Sequence, residues 1–180
     1  MASELIVQTI QGPSSGANAN KVLIPSGHTL DVSGGTLVPS AGQVVQIQTR
    51  KFANVGFSTT SGTLVDITNF YVDITPTSSN SIIVFQSSIT GVNALSSGYA
   101  RFAIFNGNTS TQWSSNLYIA QMGFNGAQWV DTPLIHSNTA GTTSAMRLQL
   151  RVLVGGGGGT ADFNWSGGDD RTITATEIAQ

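Results

Sequence analysis

The sequence predicts an all-β protein: a short N-terminal extended or β-stranded shaft, then an antiparallel β-sandwich of jelly-roll type, the whole a trimer. Three observations predict it. Helix formers are nearly missing, with Glu at positions 4 and 177 and Lys at 21 and 51, while Val, Ile, Thr and Phe fill the apolar stretches. That is strand chemistry. From Met146 to Val154, apolar Met146, Leu148, Leu150, Val152 and Val154 alternate with Arg147, Gln149, Arg151 and Leu153. Period two over such a run marks a strand with one buried face. Finally, short apolar stretches recur between turn-forming residues, among them Asn106-Gly107 and Asn125-Gly126. Such pairs favour positive φ and tight hairpins, and short strands spaced by turns build two-sheet sandwiches.

From the N-terminus, Gln11 to Asn20 has the Gly, Pro, Ser and Asn content of a linker. A quasi-repeat follows: Ile24-Pro25-Ser26-Gly27 is echoed by Val38-Pro39-Ser40-Ala41-Gly42, and Thr29-Leu30 by Thr36-Leu37. Segments this short cannot bury an apolar face alone. Three chains wound about one axis would supply the neighbours, and a flexible arm is the plainer alternative. Residues 1–43 are thus expected to anchor (1 to about 20) and trimerise (21–43) the chain, with 44–180 as head. Strands are expected at Val44–Lys51, Leu64–Ile74 (bent near Thr68-Asn69), Ser81–Ser88, Tyr99–Phe105, Leu117–Met122, Ala127–Leu134, Met146–Val154, Ala161–Trp165 and Arg171–Ile178.

Composition excludes several functions. Charged residues are 9% of the chain, against about 25% in an average soluble protein, so Ser, Thr, Asn, Gln and Gly must form the surface. Seven basic residues and a net charge of −2 do not make the basic patch a nucleic acid requires. Arg50-Lys51 reads as a strand-end pair. Without cysteine there is neither a disulfide nor a thiolate metal site. Met1-Ala2-Ser3-Glu4 lacks a basic leader, Leu5-Ile6-Val7 is too short for a signal core, and no apolar run spans a bilayer. A soluble product made in the cytoplasm is expected.

Catalytic motifs fail on context. Gly12-Pro13-Ser14-Ser15-Gly16 matches a nucleophile elbow in letters, but no amphipathic helix follows it and nothing brings His28 or His136 to Ser14. The run Gly155 to Gly159 does not continue as a phosphate loop and reads as a hairpin loop. Asp169-Asp170 offers hard oxygens to calcium, but neighbours on a strand point opposite ways, so a solvated turn is the reading adopted. No catalytic residue, cofactor or metal is expected. Trp129 reads as core, Trp165 as either core or surface, and Trp113, in a polar Ser/Thr stretch, as exposed. Loop position and hydrogen-bonding capacity make Trp113, Asn125, Gln128, Asn138 and Trp165 the candidate ligand-binding residues.

Two stretches carry a resemblance. Ile24-Pro25-Ser26-Gly27-His28-Thr29-Leu30-Asp31-Val32-Ser33-Gly34-Gly35 resembles the repeated linker of tail-fibre-like proteins of marine and cyanobacterial bacteriophages. Thr172-Ile173-Thr174-Ala175-Thr176-Glu177-Ile178-Ala179-Gln180 is similar to the closing strand of their C-terminal module. Val72-Asp73-Ile74-Thr75-Pro76 and Ser81-Ile82-Ile83-Val84 look like the Ile-Thr-Pro … Ser-Lys-Ile stretch of the same module, although the lysine is absent and Asn80-Ser81 stands in its place. The resemblance implies a trimeric virion fibre with no catalytic residues. Its residues 1–43 would meet other virion proteins, and its head a host surface glycan or protein. The shaft is short for a tail fibre, so a capsid decoration protein is the alternative. A polysaccharide depolymerase is a remote third, for want of a paired-acid signature.

Overall fold

The computed structural model describes residues 13–17, 22–29, 39–52, 56–93, 98–124, 129–156, 160–163 and 171–180. The chain divides into two units, Met1–Val38 and Pro39–Gln180. In the first, a turn closes from His28 N–H to Pro25 O at 3.1 Å with Gly27 at φ 81°. In the second, the echoed sequence makes the same kind of turn, from Gln43 N–H to Ser40 O at 3.1 Å with Gly42 at φ 83°. Both turns put glycine where a positive φ is needed, so the quasi-repeat is a repeat of turn chemistry. Among described residues 22–29 there is no strand, and the rest of the expected shaft up to Val38 lies outside the described residues.

The second unit is built from strands β1 (Val44–Phe52), β2 (Ser58–Thr59), β3 (Val65–Ile74), β4 (Ile82–Asn93), β5 (Gly98–Asn106) and β6 (Thr111–Gln112). They continue as β7 (Ala120–Phe124), β8 (Trp129–Thr139), β9 (Met146–Gly155), β10 (Ala161–Asp162) and β11 (Arg171–Ile178). The pairings are antiparallel. One sheet runs β1-β11-β4-β8, with β10 on the far part of β4 and β2 beside β10. The other runs β3-β9-β5-β7, with β6 on the far part of β5. Most successive long strands therefore change sheets while first and last lie side by side, which is the double Greek key of a jelly roll.

Period-two patterning explains the layers. On β9, Met146, Leu148, Leu150, Val152 and Val154 are buried while Arg147, Arg151 and Leu153 are partly exposed. Ile83, Phe85 and Ile89 on β4, Phe102 and Ile104 on β5, and Ile173 and Ala175 on β11 join them in one apolar layer. Phe102 meets Phe163 edge-on at 5.7 Å, and Phe163 stacks on Phe57 at 6.3 Å. Removing such a ring costs about 3–5 kcal/mol.

Expected strands differ from observed ones where turn chemistry decides. Leu117–Met122 becomes Ala120–Phe124, because the amide of Gln112 ties the carbonyl of Asn116 at 2.7 Å and keeps the chain in a loop. The expected Ala127–Leu134 is described from Trp129 onward and runs to Thr139, since the ladder with β4 continues past Leu134. Of the expected Ala161–Trp165, Ala161–Asp162 is strand and Phe163 is not, while Asn164 and Trp165 lie outside the described residues. Asn106-Gly107 does not make a two-residue hairpin. Asn106 Oδ1 accepts from Asn108 N–H at 3.1 Å, and the positive φ falls on Ser110, at 55°. The break expected near Thr68-Asn69 is present: Asp66 pairs with Arg151 but Tyr71 with Gln149, and Asn69 sits at φ 61°.

Gln149 holds that bulge. Although it lies on the outer side of β9, its buried amide donates to Ile67 O at 2.7 Å and Phe70 O at 3.3 Å, inside the stretch of β3 where the register shifts. Gly155 is needed for a different reason. A Cβ there would lie 2.5 Å from the Tyr99 ring, so the first residue of the glycine run is a seat for an aromatic. Gln149→Met, which keeps volume but removes the donor, should lose the buried hydrogen bonds to β3 and cost about 1–3 kcal/mol. A denaturant melt would show this as a lower midpoint at unchanged slope; an unchanged midpoint would dismiss the assignment.

Candidate functional site

β1 and β3 are edge strands of different sheets, and the side chains between them are polar. The β1–β11 register puts Gln46, Gln48 and Arg50 opposite Glu177, Ala175 and Ile173. These three are buried, so Gln46, Gln48 and Arg50 point toward the inside of the sandwich, where other strands carry apolar groups. Arg50 crosses to β3, donating to Asn69 O at 2.9 Å and Tyr71 O at 3.2 Å. Its guanidinium lies 3.6 Å from the Tyr71 ring centroid, and that of Arg147 lies 3.8 Å from the same centroid. At such distances the two cations must take opposite faces of the ring. Asp73 fixes Arg147 with a two-point fork at 2.8 and 3.2 Å; those hydrogen bonds, and the charge behind them, raise the guanidinium pKa further.

Beside this stack opens a groove of about 450 Å³, lined by Gln46, Gln48, Asp73, Thr75, Asn108 and Arg147, with Ile74, Ala145 and Met146. Gln48 donates to Gln46 Oε1 at 3.0 Å, and Asn108 donates to Ala145 O at 2.9 Å. An amide that donates through its nitrogen keeps its own carbonyl oxygen as an acceptor. The forked Asp73–Arg147 pair leaves the lining neutral overall. Amide acceptors, one guanidinium and no net charge suit a neutral, hydroxyl-rich ligand.

Behind the groove lies Glu177, fully buried. Its carboxylate accepts from Gln46 Nε2 at 2.6 Å, Thr77 N–H at 2.8 Å and Thr77 Oγ1–H at 2.7 Å. Burial alone would raise its pKa; the donors of Gln46 and Thr77, with Ser81 close by, outweigh it and hold the group below the usual carboxylate range. The Ser81 hydroxyl is itself buried with no partner within 3.5 Å, so its contribution is that of a nearby dipole. The Ile74-Thr75-Pro76 and Ser81-Ile82 stretches thus meet the closing strand at one carboxylate, in a structural role.

Trp113 is the main correction to the sequence reading. Expected to be exposed, it is only 7% exposed, with an unpartnered buried Nε1. Its backbone N–H, and that of Ser114, donate to Ile104 O at 2.9 and 3.0 Å, drawing the loop under the sandwich. The ring packs edge-on to His136 at 5.7 Å. Asn138 donates to Trp113 O at 2.6 Å and accepts from Thr139 N–H at 2.9 Å, so its amide braces the loop. Asn125, Gln128 and Trp165 lie outside the described residues, as do Asp169, Asp170 and the Trp129 side chain. Among the described residues no group of three His, Asp or Glu side chains could hold a metal. Sequence reading missed the groove because its residues come from β1, β3, β9 and the β5–β6 and β8–β9 connections. The one signal for it was a β1 strand with glutamines on its inward positions.

Sandwich, connectivity and neutral groove together define an eight-stranded jelly roll with accessory strands, a fold of viral coat and lectin-like domains. The "Structure of infectious bursal disease virus Gx strain" shares the fold with a TM-score of 0.50 and 14% identity, covering 86% of this chain and 38% of that one. The "Crystal structure of infectious bursal disease virus VP2 subviral particle" gives 0.43 and 12%, covering 93% and 40%. This chain spans about two fifths of the length of those proteins. No protein-family profile matches the chain, and no curated protein matches it.

Two groups set the acid response. His136 Nε2 accepts from Ser115 N–H at 3.3 Å, and burial lowers its pKa from 6.5; Glu177 is lowered from 4.5. For both, the unfolded chain takes up a proton before the folded one does. Stability is therefore present above these values and lost as pH falls, first below about 6.5 and then below about 4.5. Glu177→Gln should lower stability at pH 7 by about 1.5–3 kcal/mol and flatten the dependence below pH 4.5. Chemical melts between pH 3 and 8 would read this; an unaltered slope below pH 4.5 in the variant would contradict it.

Proposed function

We propose that this chain is a structural protein of a bacteriophage virion, a short homotrimeric fibre or spike whose jelly-roll head meets the host surface. The jelly roll is the observation that carries the reading: it is an assembly fold, shared with a solved virus structure. The resemblance of residues 24–35 and 172–180 to phage tail-fibre-like proteins points the same way. A surface of hydroxyls and amides keeps its contacts in variable salt, where exposed ion pairs are screened. In this reading the chain is not an enzyme: Asp66 and Asp73 are each occupied by an arginine, and the groove binds without reacting. Its ligand is a neutral host glycan, held by Gln48, Asn108 and Arg147.

A second reading, capsid decoration without receptor contact, is favoured by Val22, Leu23 and Ile24, each 45–57% exposed. Three apolar side chains in a row would suit docking on a capsid lattice. Particles lacking the protein separate the two: a fibre costs adsorption, a decoration protein costs particle stability. Under the leading reading, the Gln48→Ala, Asn108→Ala double variant slows adsorption about tenfold, the equivalent of ~1.4 kcal/mol, with the particle's melting temperature unchanged. Adsorption at the wild-type rate would remove the groove as the receptor site.

A further inference from the structure

The two outer faces of the sandwich differ in chemistry. The outer face of the β3-β9-β5-β7 sheet carries the described ion pairs, Arg147–Asp73 and Arg151–Asp66. It also carries stacked cations: Arg151 lies 4.1 Å from the Phe105 centroid and Arg101 4.4 Å from that of Tyr99. Across the β1-β11-β4-β8 sheet the registers define three consecutive rows of outward side chains: Val44-Ile178-Ile82-Thr139, Ile47-Thr176-Val84-Ser137 and Thr49-Thr174-Gln86-Ile135. None of these positions is charged. Ile47 and Ile135 are 59% and 64% exposed, and Val44 is 55% exposed.

On β1 the usual arrangement is inverted, with Gln46 and Gln48 inside and Ile47 outside. An isolated sandwich gains nothing from an exposed isoleucine on each edge strand, and contiguous exposed apolar surface marks a contact. Charges bound the neutral rows: Lys51 on the β1 edge, Asp131 on the β8 edge and Asp162 on β10 beyond them.

We propose that this face is where copies of the chain pack on one another, the β1 half of one face against the β8 half of the next. The proposal rests on the self-assembly in the reading above and adds the surface that carries it. Two arguments select a second copy as occupant. The neutral rows of Thr, Ser, Ile and Val meet their like without burying an unpaired charge, which is what a buried interface core requires. The bounding charges are opposite in sign and lie toward the same end of opposite edges, so a head-to-tail contact brings Lys51 beside the neighbour's Asp131 as Ile47 meets Ile135. Head-to-tail contacts generate rings where the rotation between neighbours closes and open filaments where it does not.

The test is the solution mass of the full-length protein and its variants, each with an unfolding melt to establish that it folds. Wild type is expected at three times the 18.7 kDa chain mass. Ile47→Asp and Ile135→Asp should each raise the dissociation constant roughly 30- to 100-fold, and Asn116→Asp, off this face, should leave it unchanged. Lys51→Glu should weaken assembly, and adding Asp131→Lys in the same chain should restore it. A trimer that persists in the Ile47→Asp, Ile135→Asp double variant overturns this face as the contact while leaving the fibre reading standing. A monomeric wild type overturns both, and the face then belongs to another virion protein.

Discussion

Each sheet of this protein keeps its inner face dry only because the other covers it, and the layer they share is rich in rings. Phe70, Phe85, Phe102 and Phe163 are fully buried in it. Burial of apolar area is the dominant favourable term in folding, and a chain with 9% charged residues has little else to draw on. The topology serves that layer. Strands that change sheets at most of the long connections cover both inner faces together, and β11 closes the sheet beside β1 so that the last strand locks the first.

The few charges are then placed where the layer ends. Glu177 fastens the closing strand to the β3–β4 turn and to β1 through three short hydrogen bonds. Arg50 bridges the open edge to two carbonyls of β3, and Arg147 and Arg151 pair with Asp73 and Asp66 on the outer face. Exposed pairs of that kind contribute little to stability; what they do is mark one outer face as solvated. The other face, with threonine rows and exposed isoleucines, carries no charge in its three neutral rows. Groove and neutral outer face both draw on β1, whose alternate residues line one and the other.

The architecture was legible in the residues because period-two patterning reports directly on a half-buried strand. β9 and β11 appear where Met146–Val154 and Arg171–Ile178 place them, and the bend near Thr68-Asn69 is a real bulge. Less was legible where a polar residue is recruited by something distant in sequence. Gln149 reads as a solvent-facing partner in an alternating strand, yet the carbonyls it serves are 79 and 82 residues away. Trp113 sits among serines and threonines, which normally signals a loop; its burial follows from Ile104 and Asn138 reaching it across the fold. The groove was invisible for the same reason, since pairing of β1 with β11 at the end of the chain decides which way Gln46 and Gln48 point.

A chain without cysteine permits a direct measurement of whether the β1-β11-β4-β8 face joins copies head to tail. Ile47→Cys and Ile135→Cys, singly and together, would be oxidised in the assembled full-length protein and run under denaturing, non-reducing conditions. A head-to-tail contact predicts that the double variant yields covalent species up to three chains while each single variant stays at one, because position 47 faces position 135 of a neighbour and not itself. Equal crosslinking of the single variants, or none in the double variant of a protein that remains trimeric, would contradict it.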